Sequence, residues 1–144
     1  MRTFHLDEAW LRIPSDWRDN SIQILAQAEG SSAVFSFVVN RDEPAQGESL
    51  LDFTERQLAL LASSLANFEL GARRQRAVDG VVALEAEYRW RAEQGPMFQR
   101  QLYVPCGGRV LVLTATAAEP FDAARQAELD ELFSSLRFRG DPGS

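Results

Sequence analysis

Residues 33–39, Ala33-Val34-Phe35-Ser36-Phe37-Val38-Val39, are dry on both parities, and this restricts the fold more than any other feature of the chain. Side chains along a strand alternate between two faces, so Phe35, Phe37 and Val39 share one side while Val34, Ser36 and Val38 share the other. The first set is bulky and suits packing under helices; the second is small but still largely apolar. Residues 109–117 repeat the arrangement, with Leu111, Leu113 and Ala115 against Val110, Val112 and Thr114. An antiparallel sheet in a small protein usually keeps one wet face. These strands need cover on both.

The available cover is two helices. In Ser49-Leu50-Leu51-Asp52-Phe53 the serine is placed to cap a helix, with Asp52 answering from the third position. Leu51, Leu58, Leu61 and Leu65 then recur at helical spacing, widened by Leu50, Phe53 and Leu60. A second helix is predicted from about Pro120, a good first-turn residue, with Leu129, Leu132, Phe133 and Leu136 buried and Asp122, Arg125, Glu128 and Asp130 wet. Strands are predicted over 4–6, 10–13, 21–28, 33–40, 70–77, 81–91, 97–104 and 109–117, with hairpin punctuation at Gly30-Ser31, Gly95-Pro96 and Gly107-Gly108. Asp16 to Asn20 reads as a structural turn, with Trp17 in it or edging a groove. The order β-β-β-β-α-β-β-β-β-α gives an α+β domain: an antiparallel sheet packed by two helices. The domain spans 1–139, and 140–144 is a flexible tail.

Two helices cover one face of so wide a sheet, hardly both. Either loops, the N-terminal segment or the second helix wrap around to the rest, or that face is a groove or a dimer surface, since large apolar patches mark partner sites. The stretch Ser21-Ile22-Gln23-Ile24-Leu25-Ala26-Gln27 has the same two-sided character, Ile22 and Ile24 pointing one way if the register does not slip by one. Three amides lie near these faces: Gln57 on the first helix, and Gln99 and Gln101 alternating with Phe98, Arg100 and Leu102. An amide both donates and accepts, so it can satisfy the polar groups of a guest or simply face water.

Chemistry is sparse. His5 is the single histidine and has no cysteine or second histidine at metal-ligand spacing, and no glycine-rich phosphate loop follows a strand. Glu85 and Glu87 stand two apart on one strand face, a spacing that meets cross-strand arginines more often than it serves acid–base work. Cys106, the single cysteine, reads as a turn residue. These readings give a non-enzyme without cofactor or metal. The formal charge of −6 argues against nucleic acid and against an anionic membrane surface as partners, and Arg73-Arg74-Gln75-Arg76 reads as a solvated strand end. No apolar run approaches the ~20 residues of a membrane span, and the first residues lack the apolar stretch of a signal peptide, so a cytoplasmic protein is expected.

Taken in order, Phe4 to Leu25 (FHLDEAWLRIPSDWRDNSIQIL), Ser36 to Asp42 (SFVVNRD), Phe53 to Leu58 (FTERQL) and Glu87 to Val104 (EYRWRAEQGPMFQRQLYV) resemble the Eag chaperones of bacterial type VI secretion. The similarity is collinear from Phe4 to about Phe138 and rests on no catalytic motif. It implies a Mog1/PsbP-like α+β sandwich. It further implies a homodimer that shields the N-terminal transmembrane helices of a PAAR- or Rhs-type effector in the cytosol before export. The guest-contact residues it implies are Ile22, Ile24, Val38, Gln57, Leu61 and Gln101, the apolar ones covering helix sides and the amides standing in for interhelical hydrogen bonds. The alternative is a Mog1/PsbP-like protein-binding module outside secretion.

Overall fold

The computed structural model describes the backbone of residues 2–5, 9–13, 17–21, 24–27 and 35–138, and side chains from Ser36 to Phe138. The strands are β1 (Arg2–His5), β2 (Ala9–Ile13), β3 (Trp17–Ser21), β4 (Ile24–Gln27), β5 (Phe35–Asp42), β6 (Glu69–Val78), β7 (Val81–Ala92), β8 (Gly95–Cys106), β9 (Arg109–Ala117) and β10 (Arg137–Phe138). The helices are α1 (Leu50–Ser64) and α2 (Ala123–Ser134). Seven strands form one sheet in the order β3-β4-β5-β9-β8-β7-β6, and three form a second in the order β1-β2-β10. Every pairing is antiparallel. The architecture is the expected α+β, an antiparallel sheet carrying two helices.

Local chemistry explains the boundaries. The Ser49 hydroxyl accepts from the Asp52 amide at 3.1 Å, satisfying one of the orphan donors of α1. The loop before it is clamped by Glu48, whose carboxylate accepts from Arg56 Nε at 2.8 Å and from the Ala45 amide at 2.9 Å. The hydrogen bond from Arg56 is the main reason the Glu48 carboxyl is lowered to about 2. The β8–β9 hairpin turns on Gly107 and Gly108, with φ of 57° and 79°, a pair of left-handed residues that suits glycine.

Several expectations give way. The segment read as a turn over Asp16 to Asn20 contributes β3, paired antiparallel with β4 through Trp17↔Gln27. Tryptophan is a good strand residue, and the polar neighbours around it hid the pattern. Ser21 accordingly belongs to β3 rather than to the strand after it. The β7–β8 connection is Glu93-Gln94, and Gly95 and Pro96 already pair with Ala92 and Arg91. Helix α2 starts after Asp122, whose side chain accepts from the Arg125 amide at 2.8 Å, so Asp122 is exposed as expected but caps the helix from outside it, and Pro120 stays outside too. Cys106 closes β8 instead of sitting in a turn. Ile22, the connection at Glu29 to Ser32 and the terminal stretch 140–144 lie outside the described residues.

The largest departure concerns the helices: they do not share a face. Phe37, Val39, Leu102, Val104, Leu111, Leu113 and Ala115 pack with Leu129, Leu132 and Phe133 of α2. Ala86, Tyr88, Tyr103 and Val110, on the opposite parity, pack with Phe53 and Leu58 of α1. Topology supplies the reason. The chain leaves β5, third in the sheet, and re-enters at β6 on the far edge, so α1 must run across β9, β8 and β7. Each fully buried Phe or Leu in these layers contributes roughly 1.5–3 kcal/mol. Leu51 and Leu60, expected in the buried stripe, stand on opposite flanks of α1 and are half exposed, while Thr54 takes a buried position.

Beneath α2 the sheet carries charge. Glu85 and Arg100, 2% and 1% exposed, form an ion pair that extends to Asp130 and Arg76. Arg76 reaches Asp130 at 2.7 Å, and Arg100 reaches the Gln126 side chain at 2.7 Å. The Arg73-Arg74-Gln75-Arg76 cluster is therefore committed to carboxylates of its own chain, namely Glu55, Glu85, Glu87 and Asp130. Glu85 and Glu87 meet arginines, as their spacing led us to expect.

Candidate interaction face

Because α1 lies over β7 and β8, the half of its sheet face toward β5 is left with less cover among the described residues. The register lays out that half in rows. One row runs Ala86, Gln101, Thr114, Val38, Ile24 across five strands, each residue the ladder partner of the next. The next runs Tyr88, Gln99, Thr116, Ser36, Ala26. Ala86 and Tyr88 are buried under α1 and Thr114 is buried within its row, whereas Gln101, Gln99, Thr116, Val38 and Ser36 are partly exposed.

Three of the residues selected from the sequence, Ile24, Val38 and Gln101, thus fall in a single cross-strand row. Ile24 is placed by its backbone register opposite Val38. Gln57 and Leu61 stand one turn apart on α1, partly exposed, at the margin of the covered half. Leu61 packs on the cluster of Phe53, Tyr88 and Tyr103, and the Gln57 amide approaches the Asp42 carboxylate at 3.4 Å near the end of β5. Helix and row belong to different layers, so these two residues border the floor rather than join it.

The polar groups of the floor are wired to each other. The Trp90 indole N–H donates to Gln99 Oε1 at 2.8 Å, and Gln99 Nε2 donates to Thr116 Oγ1 at 2.9 Å. The Tyr103 hydroxyl donates to Gln101 Oε1, and Gln101 Nε2 donates to Thr114 Oγ1 at 3.0 Å. Burial pushes the Tyr103 hydroxyl up, so it keeps its proton at neutral pH. Sequence reasoning singled out the amides but missed Trp90 and Thr116 as their partners. The signal was present in the parity of β7 to β9, and only the hairpin registers bring those positions together.

Amides, hydroxyls and small aliphatic side chains bind and orient; they do not activate a nucleophile. Among the described residues no three His, Cys, Asp or Glu side chains gather as a metal would need, and no helix is long and apolar enough to cross a membrane.

Comparison with known proteins fits this frame. The DcrB family pattern matches residues 8–135. The effector-named protein EagT6 of Pseudomonas aeruginosa is 32% identical over 117 residues, 81% of each chain. The crystal structure of PA94, a protein of unknown function from Pseudomonas aeruginosa, superposes with a TM-score of 0.64 at 29% identity, over 90% of this chain and 88% of that one. The cyanobacterial PsbP protein of Synechocystis gives a TM-score of 0.66 at 14% identity, over 96% and 92% of the two chains, and shares the fold alone. LpqN of Mycobacterium tuberculosis does likewise, with 0.62 at 13% identity over 90% and 82%. The expected PsbP-like architecture is thereby met, and the chain belongs to the DcrB family, as a member of the Eag type.

Proposed function

We propose that this protein is a cytoplasmic chaperone for a type VI secretion effector, binding an apolar N-terminal helical region of that effector on the half-open sheet face before export. The observation that carries the reading is the row Ile24, Val38, Thr114, Gln101, which sets aliphatic positions beside a fixed amide toward the less covered half of the sheet face that carries α1. A guest helix brings about 20 apolar residues that cannot stay in water alone. Covering it returns roughly 25 cal/mol for each Å² of apolar surface. Small side chains at Ser36 and Thr114 let a helix backbone come close, as small residues do in membrane bundles. The similarity to an Eag-named relative supports an effector as the partner, and the Rhs- or PAAR-type identity follows the resemblance of the sequence. Ile22, Gln57 and Leu61 complete the proposed contact set.

A homodimer is part of the proposal. Among the described residues Leu51, Leu60, Leu70 and Val82 are the large hydrophobics left exposed, the two leucines of α1 on its opposite flanks and the others on β6 and β7, outside the row. A second copy seated over the hollow that Leu51 and Val82 both line buries that pair and leaves both grooves free. The mechanism needs no nucleotide or metal.

Co-expression tests the reading. An effector bearing an apolar N-terminal region is expected to accumulate in soluble form and be exported only when this protein is present. Equal accumulation and export without it would remove the chaperone role.

A further inference from the structure

The hollow beside Leu51 and Val82 lies between the first half of α1 and strands β6 and β7, and its volume is about 610 Å³. Small-molecule sites run from roughly 300 to 1,000 Å³. Its apolar wall is aliphatic: Leu50 and Leu51 come from the helix, Val82 and Leu84 from β7, and no described residue that lines it carries an aromatic ring. Thr54 lines it too. This threonine is 1% exposed, yet its hydroxyl has no hydrogen-bond partner among the described residues. A helical threonine can return its proton to the carbonyl one turn back, and here it does not. A buried hydroxyl left bare costs stability unless something else meets it.

Two more polar residues share that side of the sheet. Arg73 and Gln75 are the ladder partners of Ala86 and Leu84, and Ala86 packs in the cluster under α1. Arg74 and Glu85 have the opposite parity and belong to the charge network beneath α2. Arg73 pairs with Glu55 at the surface, an exposed contact of small worth, and Glu55 does not line the hollow. A guanidinium has five N–H donors and no acceptor, so Arg73 keeps donors for a guest whose polar head accepts. We propose that this hollow binds a single acyl chain, its methylenes along the leucines and Val82 and its carbonyl or carboxylate oxygen accepting from Thr54 and Arg73. The second copy of the proposed dimer then roofs the open end over the tail of the chain. The effector groove is separate, since no residue of its row lines this hollow.

The test titrates the delipidated full-length protein with three probes below their micelle concentrations: dodecanoate, the lysophosphatidylcholine with the same acyl chain, and dodecyltrimethylammonium. Calorimetry reads binding to wild type, Thr54→Val and Val82→Trp, and thermal melts check each fold. Wild type is expected to bind an acyl probe saturably, about tenfold or more tighter than the cationic one. Binding of dodecanoate identifies a free fatty acid as the source, and binding of the lysolipid alone identifies a lipid; either supports the site. Thr54→Val removes the orphan hydroxyl at nearly constant shape, so it is expected to melt no lower than wild type. It is also expected to hold the acyl probe about tenfold more weakly, the worth of a hydrogen bond to a charged group. A threonine with only a structural role would lose stability and keep binding. Val82→Trp fills the open end and is expected to abolish binding. The inference is overturned by no saturable binding of either acyl probe, by equal binding of the cationic one, or by acyl binding unchanged in either variant. Each of those results leaves the effector groove standing, because co-expression tests it independently.

Discussion

Val38→Asp is expected to leave the protein folded and to weaken retention of the proposed effector partner by about a hundredfold or more. Val38 lies mid-row between Thr114 and the register position of Ile24, and it is partly exposed, so in the free protein a carboxylate there reaches water. Pressed against an apolar helix it loses that water. An Asp at the centre of a membrane-type helical environment costs about 2.5–3.5 kcal/mol, and each 1.4 kcal/mol is about tenfold in affinity. The comparison is Ala127→Asp on the exposed side of α2, which adds the same charge on the opposite layer and is expected to bind as wild type does. Co-purification with the effector, alongside a thermal melt of each variant, reads both effects. Ile24→Asp belongs in the same experiment, because its register position is opposite Val38.

Arg100→Ala is expected to cost about 3–5 kcal/mol of stability, the usual penalty for removing one partner of a buried ion pair. Glu85 and Arg100 are both almost wholly out of water, and the alanine leaves Glu85 with Arg76 and the longer contact from Arg74. It also releases Gln126 and Asp130, which tie α2 to β8, and removes a guanidinium lying 5.3 Å from the Phe133 ring centre. Urea unfolding measures the loss. Acidity should report the same network. Burial works to raise the Asp130 carboxyl, but the hydrogen bonds from Arg100 and Arg76 outweigh it and hold it below its ordinary 3.8. A carboxyl lowered in the folded state contributes stability above its ordinary value and loses it as pH falls through the lower folded one. Wild type is therefore expected to destabilise below about pH 4, with a shallower Asp130 contribution in Arg100→Ala. The network lies under α2, on the layer opposite the proposed groove. Arg100→Ala, if kept folded in the cold, is expected to bind the effector normally, which separates stability from recognition.

Much of the fold could be read from residue order because its determinants are local. Alternation marked β5 and β9, the paired glycines marked the β8–β9 hairpin, and Ser49 marked the start of α1. What escaped depends on strand order, which no local pattern carries. The two helices take opposite faces because β5 and β6 lie four places apart in the sheet, a fact of pairing rather than of periodicity. Leu51 also escaped: it follows the helical stripe yet stays half exposed, at the flank of a buried arc held by Phe53, Thr54 and Leu58. For the site, apolar and amide character pointed to Val38 and Gln101, and register alone joined them through Thr114. Arg100 was invisible as a core residue: an arginine between two glutamines reads as wet until its carboxylates are seen beneath α2.

The most direct measurement places a benzophenone-bearing residue at Val38 in one protein and at Ala127 in another, each co-expressed with the effector and irradiated. An adduct is expected from position 38 to the apolar N-terminal segment of the proposed effector, located by mass spectrometry, and none from position 127. Adducts from position 127 alone, or from position 38 only to the protein's own chain, would contradict the groove assignment.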